Sequence, residues 1–62
     1  MVVTTREGAQ YEFTADRLHV RQDGNWKALD IAPNIERGFR ILQVFRDGGF
    51  QVTGNVARIQ TV

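Results

Sequence analysis

The sequence predicts an all-β protein, an antiparallel meander of five to seven short strands that curls into a small barrel of SH3-like or OB-like size. Short apolar or β-branched runs alternate with tight, glycine-containing turns, which is typical of strands joined by hairpins. A strand, an Asp-Gly turn and an aromatic residue occur at residues 18–26, and the pattern returns twenty-four positions later at residues 42–50. This repeat is either a duplicated hairpin pair or, as we favour, two hairpins that use the same common turn chemistry. No stretch has room for a long helix, and we expect at most one helical turn near residues 33–38.

The length predicts one small domain, residues 1–62, with a thin core. A domain of this size buries only about 60% of the surface that its unfolded chain exposes. Because the chain has no Cys, neither a disulfide nor a Cys-based zinc site reinforces the core, and homo-oligomerisation is an expected source of stability. The start at Met1 and the absence of a long apolar run predict a cytoplasmic protein with no signal peptide and no membrane association.

The charge balance permits nucleic-acid binding without favouring it. Lys+Arg 8 against Asp+Glu 7 gives a net charge of +1, which lacks the basic excess of proteins that bind phosphate by electrostatics alone. All of the cationic residues except Lys27 are Arg, a side chain suited to bidentate and stacked contacts, although a genome rich in G and C explains the same bias.

Two hairpins are predicted in the first half of the chain. The first turns near Gly8 and places one set of side chains on a common face: Val2, Thr4, Tyr11 and Phe13. The second turns at Asp23-Gly24 or at Gly24-Asn25, and the latter is favoured. Its core face then pairs Leu18 with Ile31 and Val20 with Leu29. Its opposite face pairs His19 with Asp30, Arg21 with Ala28 and Asp23 with Trp26.

The second half of the chain is expected to contain the centre of the sheet. Residues 39–46 are predicted to form a central strand covered on both sides, because both faces are half apolar or better. Phe50 and Val52 are predicted on the same face as Phe45. Gly54 is either a turn residue of a last hairpin or a kink in one long strand, and the sequence does not choose between the two.

Enzymatic activity is not predicted. His19, the only His, is expected opposite Asp30, but a catalytic dyad of this kind needs a nucleophile and the chain contains neither Ser nor Cys. The turn Asp residues are explained by backbone hydrogen bonding, and neither a phosphate-binding loop nor a metal-ligand spacing occurs. We therefore predict no catalytic residue, no metal site and no small-molecule cofactor.

The candidate binding residues are Trp26, Arg21, Arg46, Phe50 and His19. Aromatic rings beside Arg on an exposed sheet are what single-stranded nucleic-acid platforms use, the rings stacking on bases and the guanidinium groups meeting phosphate. The same residue types are enriched in subunit interfaces, and Trp26 alternatively caps the open end of the core. The environment of Trp26 therefore distinguishes these interpretations.

The favoured functional prediction is a small non-enzymatic interaction module. It is expected to self-associate, or to bind a protein partner, through an apolar face or a strand edge, because residues 39–45 are apolar on both sides. The alternative is a nucleic-acid-binding small barrel that uses Trp26 with Arg21 and Arg46.

Overall fold

The structure is a computed structural model that describes residues 1–61, and within that range it contains six strands and no helix. The strands are β1 (Val2–Thr5), β2 (Gln10–Phe13), β3 (His19–Arg21), β4 (Trp26–Ala28), β5 (Arg40–Val44) and β6 (Phe50–Gln60). All pairings are antiparallel, and the strands form one sheet in the order β4-β3-β2-β1-β6-β5. The predicted all-β class and strand number are confirmed.

The sheet curls until its two outer strands meet. Leu29, which follows β4, forms an isolated antiparallel bridge with Phe45, which follows β5. The Asp30 N–H donates to the Val44 carbonyl over 2.7 Å, and the Arg46 N–H donates to the Ala28 carbonyl over 3.1 Å. Within residues 1–61 no ladder extends this contact, so the sheet has the curl expected of a small barrel without continuous closure.

A single layer of apolar side chains fills the inside of the curl. The seven buried apolar residues are Val3, Tyr11, Phe13, Val20, Leu29, Ile41 and Val56. Met1, Ile35 and Phe45 pack against this cluster and are partly buried. Among residues 1–61 no helix is long and apolar enough to cross a membrane.

In the first hairpin, the residues of β1 that point into the core differ from the predicted ones. Val3 pairs with Tyr11, so Val3 and Thr5 are the buried residues of β1, and the prediction that Val2 and Thr4 share the face of Tyr11 was wrong. The loop has three residues, 6–8, because the Thr5 N–H donates a hydrogen bond to the Ala9 carbonyl over 2.8 Å. Within the loop, the Gly8 N–H donates to the Thr5 carbonyl. An odd loop shifts the pairing by one residue and exchanges the two faces of the strand.

The second hairpin uses the less favoured of the two predicted registers. Its pairs are His19 with Ala28, Val20 with Lys27 and Arg21 with Trp26, around a loop of residues 22–25. The preferred Gly24-Asn25 register differs from this one by two residues, which preserves the faces but not the partners.

The pairs predicted from that preferred register were therefore wrong, although Val20 and Leu29 do point into the core. Ile31 is 59% exposed, because β4 ends at Ala28 and the chain leaves the sheet after Leu29. The predicted pairing of His19 with Asp30 is replaced by a pairing of His19 with Ala28.

Strand β5 lies at the edge of the sheet, which contradicts the prediction of a central strand covered on both sides. Ile41 and Gln43 point inward and are buried, whereas Leu42 is exposed. Phe50 pairs with Val44 and Val52 pairs with Leu42, so Phe50 and Val52 do not share the face of Phe45. The cause is again a three-residue loop, in which Gly48 has a φ of 98°.

Strand β6 is continuous over 11 residues, which makes Gly54 a kink and not a hairpin turn. Its first half pairs with β5 and its second half pairs with β1, with one register shift in each ladder. These irregularities bend the strand across the corner of the sheet. The connector before β5 contains no helix, and a turn closed by the Phe39 N–H and the Glu36 carbonyl leads into the strand.

Candidate functional site

Trp26 and Arg21 form a stacked pair on the outer side of the β3–β4 hairpin. They are directly opposed in the ladder, and the Arg21 guanidinium carbon lies 4.6 Å from the centroid of the indole ring. The Arg21 Nε also donates to Glu12 Oε1 over 3.2 Å, and Nη2 forms an ion pair with the same oxygen. Trp26 keeps 44% of its surface exposed. The guanidinium group is thus held between a ring and a carboxylate, which limits its availability to an anion.

Of the other predicted binding residues, two lie near this pair and one lies in a different hairpin. His19 is exposed and lies opposite Ala28, on the same side as Arg21. The backbone of Arg46, in the loop after β5, lies next to the same residue, since its N–H donates to the Ala28 carbonyl. Phe50 belongs to the next hairpin, opposite Val44. The structure therefore brings Trp26 and Arg21 into contact, places His19 and Arg46 beside Ala28, and leaves Phe50 in a separate group.

That separate group is an apolar surface on the outer side of the β5–β6 hairpin. It consists of two neighbouring cross-strand pairs, Leu42 with Val52 and Val44 with Phe50, which we call the β5–β6 face. Phe50 is 73% exposed, Leu42 52% and Val52 49%, and Val44 is half-buried. This surface differs from the sequence-based prediction, in which Phe50 and Val52 share the face of Phe45. The Asp-Gly-Gly sequence at residues 47–49 was the available signal, since a glycine third in a three-residue loop sets the opposite face.

A polar cleft of ≈ 230 Å³ lies on the inner side of the curled sheet, which we call the Gln43 cleft. Tyr11, Lys27, Gln43, Phe45 and Gln51 line it, together with residues of the β3–β4 loop. The Lys27 Nζ lies 5.4 Å from the centroid of the Phe45 ring. Burial, and then the Glu7 carboxylate, raise the pKa of Tyr11 above its ordinary value of 10.0.

Three surfaces of different chemistry are thus present on this chain. The Trp26–Arg21 pair is aromatic and cationic, the β5–β6 face is apolar, and the Gln43 cleft is polar and concave. No family model matches the chain, and comparisons with the curated proteins and with the solved structures find no match either.

Proposed function

We propose that this chain is a small non-enzymatic interaction module that self-associates through the β5–β6 face. The observation that carries the proposal is the clustering of exposed apolar side chains. Six large apolar residues are exposed against seven that are buried, and three of those six, Leu42, Phe50 and Val52, lie together on this face. Exposed apolar surface that is contiguous, rather than scattered, is typical of a protein interface.

A second copy of the chain is the occupant that the charge pattern favours. The net charge of +1 produces little long-range repulsion between two copies. The four residues of the face are uncharged, and Arg46 and Asp47 follow each other beyond the end of β5. In a two-fold contact each surface meets its own copy, so adjacent charges of opposite sign at the rim can pair with one another across the interface.

The edge of β5 supports the same proposal. At the C-terminal end of β5 the outer edge is occupied, since the Asp30 N–H donates to the Val44 carbonyl and Phe45 forms the bridge with Leu29. No strand pairs with the rest of that edge in the described part of the chain. Unpaired N–H and C=O groups beside an apolar face favour association with another strand. The face and the edge are contiguous, so one contact can use both.

The oligomeric state in solution tests the proposal. Light scattering or sedimentation equilibrium over a range of concentrations is expected to show dimers or larger species of the natural sequence. Phe50→Lys, which places a charge in the centre of the face, is expected to give a monomer. Ala15→Lys is the matched control, since it adds the same charge at an exposed residue of the turn before β3, outside β5, β6 and their connecting loop. A natural sequence that stays monomeric at millimolar concentration contradicts the proposal.

Nucleic-acid binding is the second candidate, favoured by the half-exposed Trp26 ring and by Arg46, whose backbone lies beside Ala28 of β4. The Glu12 carboxylate that binds Arg21 weighs against it, because it opposes a phosphate at the same guanidinium group. Fluorescence titration of the single Trp with DNA and RNA oligonucleotides at low salt tests this candidate. Quenching that weakens with added salt supports it, and unchanged fluorescence excludes Trp26 as a contact.

We also propose that the protein works in the cytoplasm and catalyses no reaction. The lack of Cys supports a reducing compartment, since small secreted domains commonly depend on disulfides. His19, the one His, lies exposed opposite Ala28 in the ladder, which supplies neither a nucleophile nor an orienting carboxylate.

A further inference from the structure

Two Asp-Gly sequences lie in hairpin loops of this chain, Asp23-Gly24 between β3 and β4 and Asp47-Gly48 between β5 and β6. An aspartyl side chain can react with the backbone nitrogen of the next residue to give a cyclic succinimide. Glycine hinders this attack least, because it has no side chain. The two loops therefore offer the same reaction at two places, and the restraints on each loop decide where it proceeds.

Hydrogen bonds restrain both reacting groups of the Asp47-Gly48 pair. The Gly48 N–H donates to the Phe45 carbonyl over 3.0 Å, which holds the attacking nitrogen in the turn. Asp47 Oδ1 accepts a hydrogen bond from the Gly49 N–H over 3.0 Å, which fixes the carboxyl group. The Phe45 N–H closes the same loop by donating to the Gly49 carbonyl over 2.8 Å. Ring closure requires the loop to open first, so the reaction there is slowed.

The Asp23-Gly24 pair has no such restraint. Within residues 1–61, neither the Asp23 carboxyl group nor the Gly24 N–H makes a hydrogen bond or an ion pair, and no backbone hydrogen bond closes the loop of residues 22–25. All four residues of this loop are exposed. An exposed loop without internal hydrogen bonds changes conformation at a low cost in free energy, so Asp23 Cγ can reach the Gly24 nitrogen.

We propose that Asp23 is a site of spontaneous isomerisation to isoaspartate, from which the loop structure protects Asp47. The Gly24 nitrogen attacks Asp23 Cγ and forms a new C–N bond, and the carboxyl OH leaves with the amide proton as water. A second water then opens the succinimide ring. Cleavage of the new C–N bond restores aspartate, whereas cleavage of the original peptide C–N bond leaves isoaspartate. The reaction consumes no other reagent, because one water is released and one is taken up.

The modification would alter the tip of the β3–β4 hairpin. Isoaspartate adds one carbon atom to the backbone between residues 23 and 24 and places the free carboxylate on Cα. The loop is flanked directly by the Arg21–Trp26 pair, and Asp23 also lines the Gln43 cleft. The β5–β6 face belongs to the other hairpin, so this inference goes beyond the proposed self-association and does not depend on it.

Mass spectrometry of the aged protein tests the proposal. The full chain is incubated in warm, mildly acidic buffer, and circular dichroism verifies that it stays folded. Electron-transfer dissociation then distinguishes isoaspartate from aspartate at residues 23 and 47. A parallel sample in guanidinium chloride gives the reactivity of each pair in the unfolded chain.

The ratio of isoaspartate at residue 23 to that at residue 47 is expected to be at least about tenfold higher in the folded protein than in the unfolded chain, because only the second loop is held by hydrogen bonds. Equal ratios in the two samples would overturn the proposal. So would a folded protein that forms no isoaspartate at residue 23 while the unfolded chain does.

Variants of the two aspartates provide the second arm of the experiment. Asp23→Glu has a side chain too long to close the succinimide ring, and it is expected to lose the isomerised species that reversed-phase chromatography separates from the aged natural sequence. Asp47→Glu is the matched control, since it makes the same change in the other loop and is expected to keep that species. Loss of the species in Asp47→Glu, or its persistence in Asp23→Glu, would show that Asp23 is not the site.

Discussion

A single side chain, the hydroxyl of Thr53, helps to bind β6 to the edge strand β5. Its hydroxyl accepts a hydrogen bond from the Ile41 N–H over 3.0 Å and donates to the Gly54 carbonyl over 2.8 Å, and the residue is buried. The hydroxyl thus replaces a ladder bond beside the register shift between β5 and β6. Sequence alone presents Thr53 only as a β-branched strand residue.

Replacing Thr53 by Val is expected to lower the free energy of unfolding by about 1–3 kcal/mol, because the Ile41 N–H is left buried without an acceptor. Thr53→Ser keeps the hydroxyl group and is the matched control, with a smaller loss from the missing methyl group. Urea unfolding followed by Trp26 fluorescence gives both values. Equal losses in the two variants would show that the hydrogen bond contributes little.

The turn before β3 contains a carboxylate with a lowered pKa. The Thr14 hydroxyl, at 2.6 Å, and then the Leu18 N–H, at 3.0 Å, donate to Asp16 Oδ1 and lower the pKa of Asp16 below its ordinary value of 3.8. Because the folded state favours the ionised form, this group stabilises the fold above its unfolded pKa, and that contribution is lost as the pH falls through the folded pKa.

We therefore expect the urea midpoint to fall between about pH 5 and pH 2 more steeply for the natural sequence than for Asp16→Asn, which cannot titrate. The other carboxylates contribute equally to both curves. Parallel pH profiles for the two proteins would contradict this role of Asp16.

At the scale of elements, loop length decides which side chains reach the core. The loops after β1 and β5 each have three residues, with a glycine of positive φ in third place, Gly8 at 91° and Gly48 at 98°. Each odd loop exchanges the faces relative to a two-residue turn. This is why Val2 and Thr4 were wrongly predicted on the face of Tyr11, and Phe50 and Val52 on the face of Phe45. The β3–β4 loop is even, and there Val20 and Leu29 lie on the predicted core face, whereas Ile31, also predicted there, is exposed.

Substitutions at the adjacent residues Gly48 and Gly49 test whether the positive φ of the third loop residue contributes to stability. Gly48→Ala is expected to lower the free energy of unfolding by about 1 kcal/mol, because an L side chain is disfavoured at its left-handed φ. Gly49→Ala is the matched control and is expected to change stability by less than about 0.5 kcal/mol, since a Cβ there meets its nearest atom, Asp47 Oδ1, at 3.4 Å. Comparable effects of both substitutions in thermal unfolding would contradict this account of the loop.

At the scale of the whole molecule, the chain is too short to bury all of its apolar side chains. The core is therefore thin, and a contiguous apolar face stays exposed. Six strands in so short a chain enclose seven apolar side chains, and those on the outer side of β5 and β6 remain uncovered. If a second copy covers them, folding and association are coupled, and the stability of the fold depends on protein concentration.

The thermal unfolding midpoint of the natural sequence is therefore expected to rise with protein concentration, because association stabilises the folded state by mass action. The midpoint of Phe50→Lys is expected to be independent of concentration, and that of Ala15→Lys is expected to rise like the natural one. Differential scanning calorimetry at several concentrations measures this. A flat profile for all three proteins would indicate that the fold is stable as a monomer.

The sequence by itself determined the all-β class, a range of five to seven strands, turns near Gly8, Gly24 and Gly48, and the outward side of the β3–β4 hairpin that bears Arg21 and Trp26. These features follow from local chemistry, namely the turn preferences of glycine and the two-residue period of a strand. The tertiary structure decided the edge position of β5, the apolar surface around Phe50 and the burial of Gln43 without a partner. Those features depend on pairing between segments distant in the chain, and on loop lengths that differ by one residue, which composition and alternation do not specify.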